Sequence, residues 1–355
     1  MRPITATIDL SALRHNYGVA RRLASGAQAM AVIKANAYGH GVVRAASALV
    51  DADAFALVEL DAAVRLRETG FGGRIVLLEG YFEARELEVI TAHRLATVVH
   101  SSEQLDMLRE LAPDAALDVL VKLNTGMNRL GFQPDEFGAG LARLRAHPGV
   151  AAITVMTHFA NADDARGIAW QLDTLERVAG GEALPRSLAN SAAILRHPQA
   201  HAQSVRPGIM LYGCSPFAEN TGIDVGLRPV MTLASELIAV RTLAAGDTVG
   251  YGGLFVAEGP IRIGVVACGY ADGYPRHAPT GTPVRVGGRL TRTVGRVSMD
   301  MLCVDLSGLD EARAGTPVVL WGVGNPVENV AAAAGTVGYE LLCALAPRVR
   351  IVESP

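Results

Sequence analysis

Eight apolar, strand-like runs recur through the first two thirds of this 355-residue chain, with helix-like stretches between them. That alternation constrains the fold more than any other feature. The runs are "AVIKA" from residue 31, "AFALV" from 54, "IVLLEG" from 75, "ATVVH" from 96, "DVLVKL" from 118, "ITVMTHF" from 153, "RSLAN" from 186 and "VRPGIML" from 205. Eight β-then-α units in a row predict a closed parallel (β/α)8, TIM-like barrel. An open doubly wound sheet is the competitor, although no GxGxxG follows the first strand. The intervening segments carry helix signals. Ser101 and Gln104 have capping-box spacing, and "DDARGIAWQLDTLERVAGG" begins with acids and ends in glycine.

After about residue 228 the texture changes. Runs such as "IRIGVVACGY", "TPVRVGGRL" and "TPVVLWG" alternate with Gly, Asp and Pro turns, which predicts a mostly β domain. The expected division is therefore a barrel over 1–228 and a β-rich C-terminal domain over 229–355. "ITATIDL" near the N-terminus also reads as a strand and could pair with either.

Composition removes several classes of function. Hydrophobic residues make up 50% and charged residues 19%, which suits a sizeable core, not disorder. The formal net charge of −3 gives no footprint for nucleic acid. Asp9, Arg14 and His15 interrupt the N-terminal region, so neither a membrane span nor a secretory signal is expected. Cys214, Cys268, Cys303 and Cys343 lie far apart with no metal-like spacing, and Cys268 and Cys303 read as buried free thiols. A cytoplasmic, metal-free protein without disulfides is the expectation.

Chemistry-bearing residues fall where the strands of such a barrel end, which is where barrel sites are built. Lys34 ends the first run, Lys122 lies near the end of the fifth, and His158 ends the sixth; Asn190 and Ser191 end the seventh, and Arg206 lies in the eighth. A lysine after an apolar run is costly unless paired or neutralised. The loops after strands seven and eight offer Ser191 at a helix start and the Gly208–Ile209 backbone, a setting for phosphate. A lysine facing a phosphate site suggests pyridoxal 5′-phosphate held as a Schiff base. An arginine at the pyridine nitrogen would not yield its proton, which favours proton removal and return over transamination.

The motifs "AVIKANAYGHG" at 31, "KLNTGMNRLG" at 122, "THFANAD" at 157, "LANSAA" at 188, "VRPGIMLYG" at 205, "GYADGY" at 269, "GRVSMDM" at 295 and "GYELLC" at 338 run in order over essentially the whole chain. In this the sequence resembles the alanine racemases. The resemblance implies Lys34 as bearer of the cofactor in an internal aldimine, and Tyr38, Ser191, Gly208, Ile209 and Tyr339 as phosphate ligands. It sets Arg206 at the ring nitrogen, with His158 linking it to a tyrosine and Asn190 among the cofactor-binding residues. Arg129 and the Met299 backbone would meet the substrate carboxylate. It further implies a homodimer in which Tyr270 enters the partner's active site and takes the opposite face of the α-carbon from Lys34, the two-base arrangement that racemisation requires. Lys122 matches a lysine that many members carry as a carbamate, although Asn124 stands where many relatives have aspartate. The stretch from Pro275 to Ser298 has no aromatic residue, where relatives often line the substrate entrance with them. Rival readings are a broader amino-acid racemase, a barrel decarboxylase, which would set an acid where Arg206 stands, and a non-catalytic carrier of the cofactor, which would lack the second domain.

Overall fold

The computed structural model describes residues 2–354. Two compact units make up the chain. One takes Asn16–Ala37 and Gly41–Leu211; the other takes the segment up to His15, Tyr38–His40 and the chain from Tyr212 onward.

After the strand β1 (Thr5–Asp9), the first unit contributes β2 (Gln28–Val32), β3 (Ala54–Leu57), β4 (Arg74–Leu77), β5 (Ala96–Val99), β6 (Leu117–Lys122), β7 (Val150–Met156), β8 (Arg186–Ser187) and β9 (Ser204–Val205). These last eight form a closed parallel barrel, which β9 completes by pairing with β2. The open doubly wound alternative is thereby excluded. Every residue of β3 and β5 is buried, and this is why those strands read as unbroken apolar runs. β8 and β9 are only two residues long. Pro207 cannot donate to a ladder, so beyond β9 only its carbonyl takes part, accepting from Val32 N at 2.9 Å.

The helices that cover the barrel follow the expected signals only in part: the acids Asp163 and Asp164 lie before helix Ala169–Ala179, whose first turn holds no acid, although Gly180 does follow its end. Helix Ala169–Ala179 buries Gln171, Leu175 and Ala179, a single stripe at four-residue spacing. At the start of helix Ser102–Met107, Ser101 Oγ accepts from Gln104 N at 3.3 Å, but the return half of the capping box is not made. Gln104 Oε1 instead accepts from His100 N at 2.9 Å, and its Nε2 donates to the carbonyls of Glu79 and Tyr81. A buried amide must satisfy both ends, and here it does so by tying together the segments that follow β4 and β5.

In the second unit β1 lies between β10 (Met231–Leu243), antiparallel, and Arg350–Ser354, parallel, so "ITATIDL" pairs with the C-terminal strands. β10 is long enough to pair with Pro317–Trp321 near its start and with Ile261–Val266 toward its end, with a register shift in each ladder. The strands between them continue the sheet from one partner to the other, so it curls into a ring around Leu233, Val284, Val304, Leu320 and Trp321. Two short helices, Val327–Ala333 and Gly338–Cys343, interrupt the otherwise β texture. Cys214 and Cys268 are buried free thiols, Cys303 is half-buried and Cys343 is exposed. Among the described residues no helix is long and apolar enough to cross a membrane.

Candidate active site

β2 ends just short of Lys34, and the backbone beyond the lysine does something no local signal announces. Ala35, Asn36 and Ala37 have φ between 51° and 54° and ψ between 46° and 53°, and Tyr38 follows with φ 51°. A left-handed turn of non-glycine residues costs about 1–2 kcal/mol per residue, so surrounding contacts must hold it. Ala35 N donates to Glu59 Oε1 at 3.1 Å, just past β3, and Ala37 N to the Ile33 carbonyl at 2.9 Å. Asn36 closes the far side, its Oδ1 accepting from Val42 N and its carbonyl from Gly41 N.

Arg206, directly after β9, is 3% exposed. Its Nη1 donates to Ser187 Oγ at 2.8 Å; its Nη2 donates to the carbonyls of Thr157 at 2.6 Å and Leu188 at 3.1 Å. Nη2 also lies 3.5 Å from His158 Nδ1. No carboxylate among the described residues takes part, and burial pulls the guanidinium down to about 10. Nη2 gives its hydrogens to two carbonyls and Nη1 gives one to Ser187, so Nε and the second hydrogen of Nη1 make no hydrogen bond among the described residues. His158 is held far below its usual range, by burial first and then by Arg206, Lys122, Arg129 and Lys34. With Nδ1 facing a donor, the neutral ring carries its proton on Nε2.

Lys122 closes β6 at 6% exposure. Burial first, then the charges of Arg206 and Arg129, lower it to about 8, with Lys34 adding to the same effect; Glu79 alone opposes them. The barrel thus gathers Lys34, Lys122, Arg129 and Arg206 within electrostatic reach of one another. Arg129 itself is exposed on the loop after β6. Asn124 organises that loop: its Oδ1 accepts from Gly126 N and Asn128 N at 3.0 Å each, and its Nδ2 donates to Asn128 Oδ1 at 2.8 Å and Gln133 Oε1 at 3.3 Å.

Ser191 Oγ accepts from Gly208 N at 2.9 Å and from Met210 N at 3.4 Å. Its own hydrogen is left to donate outward. The Gly208 amide is therefore engaged by Ser191, while Ile209 opens a single 3₁₀ turn, Ile209–Tyr212, whose first amides have no partner within the turn. Asn190 serves as a helix cap, its Oδ1 accepting from Ala193 N and its Nδ2 donating to the Phe159 carbonyl, so its polar atoms are already engaged.

The remaining candidates belong to the second unit. Tyr38 stacks on Tyr212 at 4.7 Å between ring centroids and lies 6.1 Å from Tyr339; burial raises the phenols of Tyr38 and Tyr212. Tyr270 opens the 3₁₀ turn Tyr270–Asp272 and is 37% exposed, and Met299 is 52% exposed.

The chain matches family models for the alanine racemase N-terminal domain over residues 8–216 and C-terminal domain over residues 230–353. The chain belongs to the alanine racemase family. Similar alanine racemases include that of Nitrosospira multiformis, 60% identical with 99% of each chain covered, and that of Nitrosomonas europaea, 57% identical with the same coverage. Among solved structures, a biosynthetic alanine racemase from Pseudomonas aeruginosa superposes with a TM-score of 0.96 at 51% identity, covering 100% of both chains. One from Acinetobacter baumannii gives 0.95 at 40%, again with 100% of both covered. The family's fold, a barrel followed by a mostly β domain, is the fold described above.

Sequence reasoning passed over two acids in this family site, Glu59 and Glu79. Each directly follows an apolar stretch, the signal that singled out Lys34; Glu59 accepts from Ala35 N beside that lysine, and Glu79 opposes the lowering of Lys122.

Proposed function

We propose that this protein interconverts L- and D-alanine with pyridoxal 5′-phosphate carried on Lys34. The observation that carries the reading is Arg206: a buried guanidinium with no acid partner among the described residues, anchored through both Nη atoms while Nε makes no hydrogen bond there. That donor suits a pyridine nitrogen, and a permanently charged partner keeps the nitrogen unprotonated. Ser191, with its hydrogen to spare, and the Ile209 amide suit a phosphate, to which the family resemblance would add Tyr38 and Tyr339. The surplus of positive charge around Lys122 fits a ligand bearing phosphate and carboxylate groups.

Bound pyridoxal phosphate supplies an electron sink that makes the α-proton of an amino acid removable. The protein's residues decide where that proton goes. Lys34, once its amine is displaced by substrate, takes or returns a proton on one face; Tyr270 of a partner subunit serves the other. Its exposure within a single chain agrees with work done on a neighbouring copy, and a homodimer follows from the same reading. Arg129 and the Met299 backbone hold the substrate carboxylate. His158, kept neutral, lends Arg206 no competing charge. The amine of Lys122, lowered toward neutrality, is of the kind that takes up carbon dioxide, and a carbamate there would supply the missing anion beside Arg129.

Purified protein with added pyridoxal phosphate, incubated separately with L- and D-alanine, should bring both to equal enantiomers by chiral chromatography, with L-serine and L-lysine slower. Faster turnover of serine or lysine would mean a broader racemase. Bound cofactor with no racemisation of any of them would mean a carrier.

A further inference from the structure

Asp272 is the acid of "GYADGY", and none of its surface is exposed. A carboxylate so enclosed must be paired, and its partners come from both ends of the chain. Oδ2 accepts from Gly269 N at 2.9 Å and from Arg2 Nη2 at 2.9 Å; Oδ1 accepts from Arg348 Nε at 2.7 Å. Neither arginine stops there. Arg348 Nη2 donates to Asp300 Oδ1 at 2.7 Å, and Arg2 Nη2 donates to the Asp300 carbonyl at 2.9 Å.

The two segments bridged in this way carry Tyr270 and Met299. They also meet directly: Tyr270 N donates to the Ser298 carbonyl and Ala271 N to that of Met299, at 3.0 Å each. A side chain at Gly269 would have its Cβ 2.3 Å from the Ser298 oxygen and 2.4 Å from that of Met299, so only glycine permits this approach. One planar guanidinium, that of Arg348, thus fixes the separation of two acids on two segments, a geometry an ammonium cannot reproduce.

We propose that Arg2 and Arg348, acting through Asp272 and Asp300, are positioning residues that set Tyr270 relative to Met299. The assignment rests on the roles proposed above for those two residues. The network acts on the Tyr270 face of the reaction and leaves the cofactor and the Lys34 face alone.

The test uses holoenzyme carrying Arg348→Lys, with Arg2→Lys as a second variant should the first fail to fold. Four quantities are measured: racemisation, cofactor absorbance, thermal stability, and exchange of the α-proton in D₂O with retention of configuration, for each enantiomer. A misplacement of roughly 1 Å costs about a hundredfold. Racemisation should accordingly fall by about ten- to a hundredfold, mainly in kcat. Cofactor absorbance, and exchange of the enantiomer whose proton Lys34 removes, should stay at wild-type levels. Equal loss for both enantiomers would mark a merely structural role and overturn the proposal, as would undiminished racemisation. Tyr270→Phe, run beside them, separates the two ideas. Inactive Tyr270→Phe with wild-type Arg348→Lys overturns the positioning role alone; wild-type racemisation by Tyr270→Phe overturns the base assignment and this role with it.

Discussion

Arg206 Nη1 donates to Ser187 Oγ at 2.8 Å, binding the end of β9 to the end of β8. This hydroxyl is the one side-chain oxygen that accepts from the guanidinium among the described residues; beside it stand two carbonyls and, at 3.5 Å, His158 Nδ1. A hydrogen bond to a charged group contributes about 1.5–3 kcal/mol, and Ser187→Ala should lower stability by that order. Chemical denaturation of the holoenzyme would measure it. Affinity for pyridoxal phosphate should weaken in parallel, because the freed guanidinium can swing from its place.

Lys34→Ala should abolish the cofactor's visible absorbance and racemisation together. Spectra recorded during titration with pyridoxal phosphate, with chiral analysis of the same samples, check both. Full activity in this variant would sink the scheme.

Tyr270→Ala should separate exchange from inversion. One base alone can still remove and return a proton on its own face, so one enantiomer should lose its α-proton to D₂O with configuration retained, while racemisation stops. Proton NMR of each enantiomer reads this directly. Near-normal, equal exchange of both would remove Tyr270 as a face-specific base.

Lys122 stands at about 8 in the folded protein against an ordinary 10.5. Between those values the unfolded chain holds the extra proton, so stability from this group rises as pH increases from 8 toward 10.5, and its penalty is fully present below 8. The penalty is on the order of 3 kcal/mol. In buffer free of carbon dioxide, Lys122→Met should stabilise the protein at pH 7 and flatten this slope, as thermal melts across the range would show. An unchanged slope would contradict the assignment.

Asn124→Ala should raise KM for alanine, because the Arg129 loop loses the acceptor of two backbone amides, a loss of about 1–3 kcal/mol. Asn124→Asp keeps both acceptor bonds, and the amides of Asn128 and Gln133 can turn over to face it. It should therefore restore KM. Steady-state kinetics on the pair decides the matter.

The barrel was legible because its strands are covered on both faces, which writes them into the sequence as apolar runs. β1 was legible as a strand but not as a neighbour of β10, since a pairing over more than two hundred residues leaves no local trace. Gln104 shows the same limit at short range. Its spacing from Ser101 was right for a capping box, yet the amide was drawn off by carbonyls beyond β4. In the candidate site, charged residues ending strands stood out singly, whereas the network joining Arg206 to Ser187 and Thr157, or Asp272 to both chain ends, exists only after folding. The conformation after Lys34 was the least legible of all, for "KANAY" contains no glycine to announce it.

That left-handed turn limits what could be carried to another scaffold. The five residues "KANAY", placed at the end of a different barrel strand, would relax to a right-handed turn and set the lysine elsewhere. Only a host that also offers a carboxylate where Glu59 stands, and amides for both oxygens of Asn36, would keep the lysine in its native place. The smallest transferable part of this site is therefore two adjacent strand ends and the helix that follows, not a motif.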